Sequence, residues 1–300
     1  MIELRHLGDS KLELAFGGDT FNTAAYIARA GKPFGLKVDY ATAIGDDPYS
    51  DAMRALFESE GVGTGLVGVL KGRLPGLYAI RTDARGERTF YYWRREAAAR
   101  DMFTGEPGKA LAEALAGYDW IYLSGITLSI LDESARERLM SVLDRARARG
   151  GRVVFDTNYR ARGWASIEAT RAAFAAVLKR VDVALPTFGD ESTVWDDAEP
   201  RATIDRLHAA GVREVAVKNG EAACCASDGK TLFQIAAEPV AQIVDTTAAG
   251  DAFNGGYLAA RIVGYDIERA VRAGHRLAGA VVQHRGAIIP ADATPTLEPQ

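Results

Sequence analysis

The sequence predicts an α/β protein with a mostly parallel sheet and helices on both of its faces. From Trp120 onward, short apolar strands alternate with amphipathic helices, and parallel strands need such helical crossovers. The chain has 300 residues, 48% hydrophobic and 25% charged, which suits one large α/β domain. A hairpin pattern between about 65 and 95 stands outside the alternation and predicts a small additional sheet.

The alternating elements are defined by short β-branched or apolar runs, and by longer segments with one apolar face. Small residues and glycines mark the ends of several helices. The predicted order is strand 120–123, helix 132–149, strand 152–155, helix 166–179, strand 182–185, helix 202–210, strand 214–218 and helix 249–262.

The hairpin is predicted from strands 77–81 and 89–94, which flank a glycine-containing loop at 83–87. Segment 11–16 alternates polar and apolar residues and is expected to join the same sheet. Such a sheet on a parallel core predicts a lid over a cleft, built from about 9–18 and 65–95. The alternative is an ordinary edge hairpin of the main sheet.

Segment 245–251 is the strongest candidate for chemistry. Ala248, Ala249 and Gly250 leave the backbone N–H groups unshielded before a helix, and a helix start of this kind binds anions. Asp251 lies in the first turn, where a carboxylate would repel a phosphate. We therefore interpret Asp251 as a general base for a hydroxyl that attacks phosphorus. The alternative is a helix cap with a small-residue packing face.

Other nucleotide motifs do not compete with this segment. The sequence has no Walker A loop, and the glycine pattern at 63–68 matches the dinucleotide fingerprint only by letter. A predicted helix at 51–60 precedes that pattern where a strand is required, which argues against an NAD-dependent oxidoreductase.

A second cluster follows Gly17 and Gly18, which allow a ligand to approach the backbone closely. Asp19 and Asn22 then place hydrogen-bonding groups at the start of a helix. Capping explains an aspartate at this position equally well. It explains Asn22, one turn further on, less well.

A third group consists of arginines beside tyrosines. Tyr92 and Arg94 end the predicted lid strand, and Arg160 follows the strand at 152–155. Open α/β sheets bind ligands at the carboxyl ends of their strands. Because a guanidinium matches a carboxylate or phosphate, the pair predicts an anionic substrate.

Composition limits the partners and the compartment. The net charge is −4, without the basic excess of a nucleic-acid binder, and no apolar run approaches the ~20 residues of a membrane span. Cys224 and Cys225 are adjacent, so no disulfide framework is expected, and the four histidines show no metal-ligand spacing. We expect a cytoplasmic protein with no nucleic-acid or membrane partner.

Two of these motifs resemble the signatures of the PfkB (ribokinase-like) carbohydrate kinases. They are Gly-Gly-Asp-Thr-Phe-Asn at 17–22 and Asp-Thr-Thr-Ala-Ala-Gly-Asp at 245–251, and the similarity runs from end to end. The resemblance implies a single domain over 1–300, with a ribokinase-like three-layer α/β/α sandwich and a small β lid. It also implies ATP as phosphoryl donor and Mg²⁺.

Tyr-Tyr-Trp-Arg at 91–94 and Leu-Pro-Thr at 185–187 resemble the subgroup of this family that acts on a sugar acid. That resemblance implies phosphorylation of the terminal hydroxyl of 2-keto-3-deoxygluconate. The alternatives are a kinase of a neutral sugar, such as fructose or ribose, and a sugar-binding protein without catalysis. A buried pair of arginines would be left without a counter-charge by a neutral sugar.

The resemblance also implies site residues at the matching positions. Asp251 would be the base, and the amides of Ala248, Ala249 and Gly250 would hold the anion. The implied sugar-site residues are Gly18, Asp19, Asn22, Tyr78, Tyr92, Arg94 and Arg160. The implied ATP-site residues are Lys218, Gly220, Thr246 and His275. Segment 186–191 departs from the family's Asn-x-x-Glu pattern near the metal, which leaves Asp190 and Glu191 as candidates.

The N-terminal region differs from the family pattern. Members open with an apolar core strand before a segment like Met1-Ile2-Glu3-Leu4, so we expect the first core strand to be missing and the strand at Trp120 to have an unpaired edge. We also expect a sugar acid and ATP as small-molecule partners, and a homodimer formed through the lid.

Overall fold

The computed structural model describes residues 1–8, 10–82 and 88–298. The predicted turn at 83–87 and the first residue of the predicted lid segment, Asp9, lie outside the described residues. The strands are β1 (Ile2–Gly8), β2 (Lys11–Phe16), β3 (Val38–Asp39), β4 (Thr42–Ile44), β5 (Val62–Gly63), β6 (Val67–Val69), β7 (Leu77–Thr82), β8 (Arg88–Trp93), β9 (Trp120–Ser124), β10 (Arg152–Asp156), β11 (Val183–Ala184), β12 (Glu214–Val217), β13 (Cys224–Ser227) and β14 (Leu232–Ile235). The α-helices are α1 (Asp19–Ala30), α2 (Pro48–Ser59), α3 (Gly105–Leu115), α4 (Gly125–Ile130), α5 (Glu133–Ala148), α6 (Ile167–Leu178), α7 (Phe188–Trp195), α8 (Pro200–Ala209), α9 (Ala249–Ile262) and α10 (Ile267–Val281).

The main sheet has the order β14-β13-β12-β11-β10-β9. Strands β9 to β12 are parallel, and β13 and β14 extend the sheet in antiparallel fashion. The prediction of a mostly parallel sheet is confirmed. Because all parallel strands end at one edge, the loops after β9, β10 and β12 meet at that edge.

Helices cover both faces of this sheet, which gives the three predicted layers. Alternation along β10 sends Val153 and Phe155 to one face and Val154 to the other. The first face packs against α5, α6 and α8, and the second against α1, α9 and α10. Both faces of these strands are covered by helices and are apolar, which is typical of parallel sheets.

A separate sheet with the order β2-β1-β7-β8 contains the predicted hairpin, and we call it the lid sheet. Lys11–Phe16 joins it as expected, through β1, a strand that sequence reasoning missed. The pairing of β1 with β7 is parallel, so the lid sheet is mixed rather than antiparallel. Val67–Val69, within the predicted lid segment, instead pairs with β4 outside this sheet.

Glycines in α9 allow that helix to approach α1. A Cβ added at Gly255 would lie 2.5 Å from the Cβ of buried Tyr26 and 3.3 Å from the backbone N of Ile27. We expect Gly255→Ala to lower the free energy of unfolding by about 1–3 kcal/mol, because overpacking outweighs the gain in helix propensity. Denaturant titration at equilibrium measures the change.

Gly189→Ala is the matched control, since a Cβ at this position in α7 meets nothing within 4 Å. The control is expected to keep or raise stability by up to ~1 kcal/mol. Equal effects of the two substitutions would contradict the packing argument.

Candidate active site

The carboxylate of Asp251 lies at the start of α9, directly beside α1. The N-cap of α9 is Ala248, so Asp251 is the third residue of the helix, and no side-chain cap is present there. Asn22 Nδ2 donates a 2.8 Å hydrogen bond to Asp251 Oδ2, and Thr23 Oγ1 donates to the Asp251 carbonyl at 3.2 Å. The carboxylate is thus held by a neighbouring helix, and the capping alternative for Asp251 does not hold.

The environment of Asp251 favours its protonated form. Burial, with the charge of Asp19 as a second cause, raises the pKa of the Asp251 carboxyl to about 7, although the Asn22 amide opposes the shift. A general base works best when its pKa lies near the working pH. A carboxyl with a pKa near 7 suits such a base, and the catalytic role of Asp251 stays a prediction.

The predicted anion cradle precedes Asp251. Ala248 has a φ of 60°, a left-handed conformation that costs a non-glycine residue about 1 kcal/mol. This left-handed conformation directs the chain into α9. The Ala249 amide donates to the Thr246 carbonyl at 3.3 Å, whereas Gly250 donates no hydrogen bond within the described part of the chain. The amide of Gly250 is one of the unpaired donors that a helix start offers to an anion.

Asp19 occupies the first position of α1, after an N-cap at Gly18, so it is not the cap that sequence reasoning allowed. Its Oδ2 accepts hydrogen bonds from the Ser124 hydroxyl at the end of β9 and from Asn158 Nδ2 at 3.2 Å. Burial raises the pKa of the Asp19 carboxyl, and the charge of Asp156 adds to the shift. Two distant strand ends therefore hold this carboxylate.

The lid sheet contributes stacked aromatic residues. The rings of Tyr78 and Tyr92 lie 6.0 Å apart, and the Arg94 guanidinium lies 4.7 Å from the centre of the Tyr92 ring. The Tyr78 hydroxyl donates to Glu3, a buried carboxylate on β1 that also accepts from Arg5 Nη2 at 2.9 Å. Sequence reasoning missed Glu3, although a glutamate on an otherwise alternating strand was the available signal.

The charge of Arg160 contributes to the pKa of Arg94, the other predicted arginine. Burial lowers the pKa of the Arg94 guanidinium, and the charge of Arg160 acts in the same direction, while that of Asp19 opposes it. The Arg160 side chain is half exposed and lies 3.7 Å from Asp190 Oδ2. The charges of Arg94 and Arg160 therefore interact, and Arg160 has Asp190 as an acidic partner; binding of an anionic ligand by the two stays a prediction.

Lys218 lies beneath this region and not at its surface. Its ammonium is buried, donates to Asn254 Oδ1 at 2.8 Å and pairs with Asp156 Oδ1 at 3.2 Å. Asn254 also donates to Asp156 Oδ2 at 2.8 Å and to the Tyr122 hydroxyl at 3.1 Å. The structure thus assigns Lys218 an internal ion pair, and its contact with nucleotide stays a prediction. Sequence reasoning missed Asp156 and Asn254.

The other predicted ATP-site residues border the same end of the sheet. Gly220 has a φ of 58° in the turn after β12, and Thr246 lies just before α9. His275 packs edge-on against Phe253 and bonds through Nε2 to the Ile235 carbonyl at 3.0 Å, and burial lowers its pKa. These contacts of His275 are internal, so its role toward ATP also stays a prediction.

The metal candidates differ in accessibility. Glu191 Oε2 is buried and accepts from Arg206 Nη2 at 2.5 Å, whereas Asp190 is partly exposed and accepts from the Tyr159 amide at 3.0 Å. Burial raises the pKa of both carboxyls. Within residues 1–8, 10–82 and 88–298, no group of three or more acidic, histidine or cysteine side chains is arranged to hold a metal ion. Mg²⁺ needs only one or two carboxylates when substrate phosphates supply the other oxygens. Asp190 fits that requirement better than Glu191.

The comparisons with known proteins agree on one family. Residues 6–294 match the pfkB family carbohydrate kinases. The 2-dehydro-3-deoxygluconokinase of Dickeya dadantii is 48% identical over 98% of this chain and 96% of its own length. That of Haemophilus influenzae is 39% identical over 96% and 93%. A ribokinase II candidate from Escherichia coli, solved with ATP and Mg²⁺, has a TM-score of 0.82 at 22% identity, with 98% of this chain and 93% of that chain covered.

Proposed function

The chain belongs to the pfkB family of carbohydrate kinases, and from that membership we propose that it phosphorylates 2-keto-3-deoxygluconate (2-dehydro-3-deoxygluconate) with ATP. The phosphoryl group goes to the terminal hydroxyl, which gives the 6-phospho sugar acid. The observation that carries the proposal is Asp251, a partly buried carboxylate at the start of α9 that Asn22 holds by a hydrogen bond and whose pKa is raised to about 7. That carboxylate also argues against a sugar-binding protein without catalysis.

In the proposed reaction, Asp251 takes the proton of the terminal hydroxyl while the hydroxyl oxygen forms a bond to the γ-phosphorus. The bond from that phosphorus to the bridging oxygen breaks, and ADP leaves with the electron pair. The amide of Gly250 stabilises the charge that develops on the phosphoryl oxygens. When bound, Mg²⁺ would be held by Asp190 and the phosphates, and it would neutralise phosphate charge.

The sugar acid would lie between α1 and the lid sheet. Asp19 and Asn22 offer hydrogen bonds to its hydroxyls, and Arg94 and Arg160 bind its carboxylate. Gly220 and Thr246 would border ATP at the adjoining strand ends. Closure of the lid sheet would exclude water, which otherwise competes as phosphoryl acceptor.

A steady-state assay with ATP tests the substrate. We expect kcat/KM for 2-keto-3-deoxygluconate to exceed that for fructose and ribose. The arginine pair is the reason, since fructose and ribose lack a carboxylate. A higher kcat/KM for fructose or ribose would favour the neutral-sugar kinase, and no turnover with any sugar would favour a binding protein.

The pKa of Asp251 predicts a pH dependence. A protonated carboxyl accepts no further proton, so only the deprotonated form is active. We expect kcat/KM of the free enzyme to rise about tenfold per pH unit below about pH 7 and to level off above it. Initial rates from about pH 5 to about pH 9 measure this limb, and a flat profile would contradict the assignment.

We further propose a homodimer formed through the outer face of the lid sheet. Leu14 and Leu4 are paired across β2 and β1, and Trp93 and Leu77 across β8 and β7, so these residues share a face. Leu14 and Trp93 are exposed there, as are Leu12 and Tyr91. Sedimentation of the wild type against Leu14→Lys tests this, with a shift to monomer expected in the variant.

No helix within the described ranges is long and apolar enough to cross a bilayer. We propose a cytoplasmic location because Cys224 and Cys225 are both unpaired and buried on β13. Burial raises the pKa of both thiols, Cys224 to about 12, which keeps them unreactive.

A further inference from the structure

A buried polar network lies beneath the start of α9. Its central members are Asp156 at the end of β10, Lys218 just after β12, and Asn254, which follows Asp251 by three residues on α9. Each of these central members is at most 8% exposed. Residues three apart on a helix lie on the same side, so Asn254 connects the turn that carries Asp251 to the two strand ends.

The position of Lys218 is fixed by its backbone as well as by its side chain. Its amide donates to the Pro186 carbonyl at 2.8 Å, and its carbonyl accepts from the Phe188 amide at 2.8 Å. The ammonium nitrogen lies 2.8 Å from Asn254 Oδ1 and 3.2 Å from Asp156 Oδ1. A nucleotide phosphate would therefore compete with a buried carboxylate for this ammonium.

The network continues to α1 and β9. Asn254 Nδ2 donates to the Tyr122 hydroxyl at 3.1 Å and to Asp156 Oδ2 at 2.8 Å. Thr23 Oγ1 lies 3.4 Å from the same hydroxyl and 3.2 Å from the Asp251 carbonyl. Polar side chains from α1, β9, β10 and the end of β12 therefore hold the first turn of α9 together.

Two members of the network place opposite charges near Asp251. Burial and then the charge of Asp19 raise the pKa of the Asp251 carboxyl; the charge of Asp156 adds to the shift, and that of Lys218 opposes it. Four further titratable groups are neutral at about pH 7, because burial raises the pKa of each tyrosine and lowers that of the histidine. They are Tyr26 on α1, Tyr78 on the lid sheet, Tyr122 on β9, and His275 on α10, which packs on Phe253.

We propose that Lys218 is a positioning residue for phosphoryl transfer and not a ligand of ATP. Through Asn254 it holds the turn of α9 that carries the Gly250 amide and the Asp251 carboxylate. Through Asp156 it balances a negative charge beneath that turn. This role rests on the proposed function, in which Asp251 accepts the proton of the sugar hydroxyl.

A double-mutant cycle of Lys218→Met and Asp156→Asn tests this role. Lys109→Met is the matched control, because Lys109 is an exposed lysine on α3 that pairs with Glu106. The first readout is the pH titration of the Asp251 carboxyl carbon by NMR, assigned with Asp251→Asn, and it needs no substrate. We expect the midpoint to rise by at least about half a pH unit in Lys218→Met, to fall in Asp156→Asn, and to return towards the wild-type value in the double variant. The control should titrate as the wild type does.

Steady-state kinetics with ATP and 2-keto-3-deoxygluconate give the second readout. We expect Lys218→Met to lower kcat by at least about tenfold and to leave the KM for ATP within about twofold, because positioning acts on the transition state and not on ATP binding. The acidic limb of the pH profile should move in the same direction as the NMR midpoint. Lys109→Met should leave kcat and both KM values unchanged.

Two results would overturn the proposal. A KM for ATP that rises at least about tenfold in Lys218→Met, with kcat unchanged, would make Lys218 an ATP ligand. NMR midpoints that stay at the wild-type value, or that move in the same direction in both single variants, would reduce the ion pair to a purely structural one.

The double variant keeps the proposal testable if Lys218→Met does not fold, since removing both charges leaves no unpaired one. Its midpoint should then lie above that of Asp156→Asn, because the two differ only in the Lys218 charge, and equal midpoints would overturn the proposal. A wild type that turns over no sugar would contradict the proposed function, and the NMR titration would still decide whether Lys218 acts on Asp251.

Discussion

Asp251→Asn is expected to lower kcat by at least ~100-fold while ATP and the sugar acid still bind. The substitution keeps the size of the side chain and one oxygen that can accept from the Asn22 amide, and it removes the proton acceptor. The cradle at the start of α9 stays in place, so residual turnover from positioning should remain. Steady-state kinetics measure kcat, and calorimetric titration measures binding of each substrate.

Asp228→Asn is the control for Asp251, because Asp228 is an exposed aspartate between β13 and β14. It should leave kcat unchanged. If Asp251→Asn turns over at a rate near that of wild type, another group accepts the proton, and the catalytic assignment of Asp251 fails.

Arg94→Leu is expected to raise KM for 2-keto-3-deoxygluconate roughly ten- to a hundred-fold, with the KM for ATP nearly unchanged. A charge-assisted hydrogen bond to a carboxylate contributes on the order of 1.5–3 kcal/mol, which sets this range. Because Arg94 is partly buried over the Tyr92 ring, we expect the increase in KM to lie in the upper part of this range. The kcat/KM for neutral sugars should rise relative to that for the sugar acid.

Arg160→Leu should also raise the KM for 2-keto-3-deoxygluconate. The increase should be smaller if Arg160 binds the keto oxygen instead of the carboxylate. Arg272→Leu is the control, since Arg272 pairs with Glu268 on the exposed face of α10. The measurement is kcat/KM for the acid sugar and for fructose in each variant. An unchanged ratio in both Arg94→Leu and Arg160→Leu would contradict recognition of a carboxylate.

The fold was predictable where local patterns decide it. The bounds of α9 match the prediction residue for residue, because small residues begin the helix and a glycine follows it. Strand β1 was missed because its pairing with β7 joins residues that are far apart in sequence, and its alternation of apolar and polar residues covers only Ile2 to Arg5. Long-range pairing of this kind leaves little local signal.

The sequence indicated which of these residues lie together better than it indicated their contacts, and their roles stay predictions. Motifs placed Asp251 and Asn22 in one site, and the structure joins them by a 2.8 Å hydrogen bond. The buried pair of Lys218 and Asp156 was missed, because an ion pair beneath a site depends on how strands β10 and β12 are arranged in the sheet. Sequence spacing alone does not show which side of a strand end a lysine faces.

Phosphorus NMR of a reaction containing the protein, ATP, Mg²⁺ and 2-keto-3-deoxygluconate tests the central claim most directly. We predict that ADP and one new phosphate monoester form in equal amounts, with the ester on the terminal carbon of the sugar acid. Asp251→Asn should form neither product over the same interval. Formation of ADP and free inorganic phosphate without a sugar ester, or an ester at another carbon, would contradict the claim.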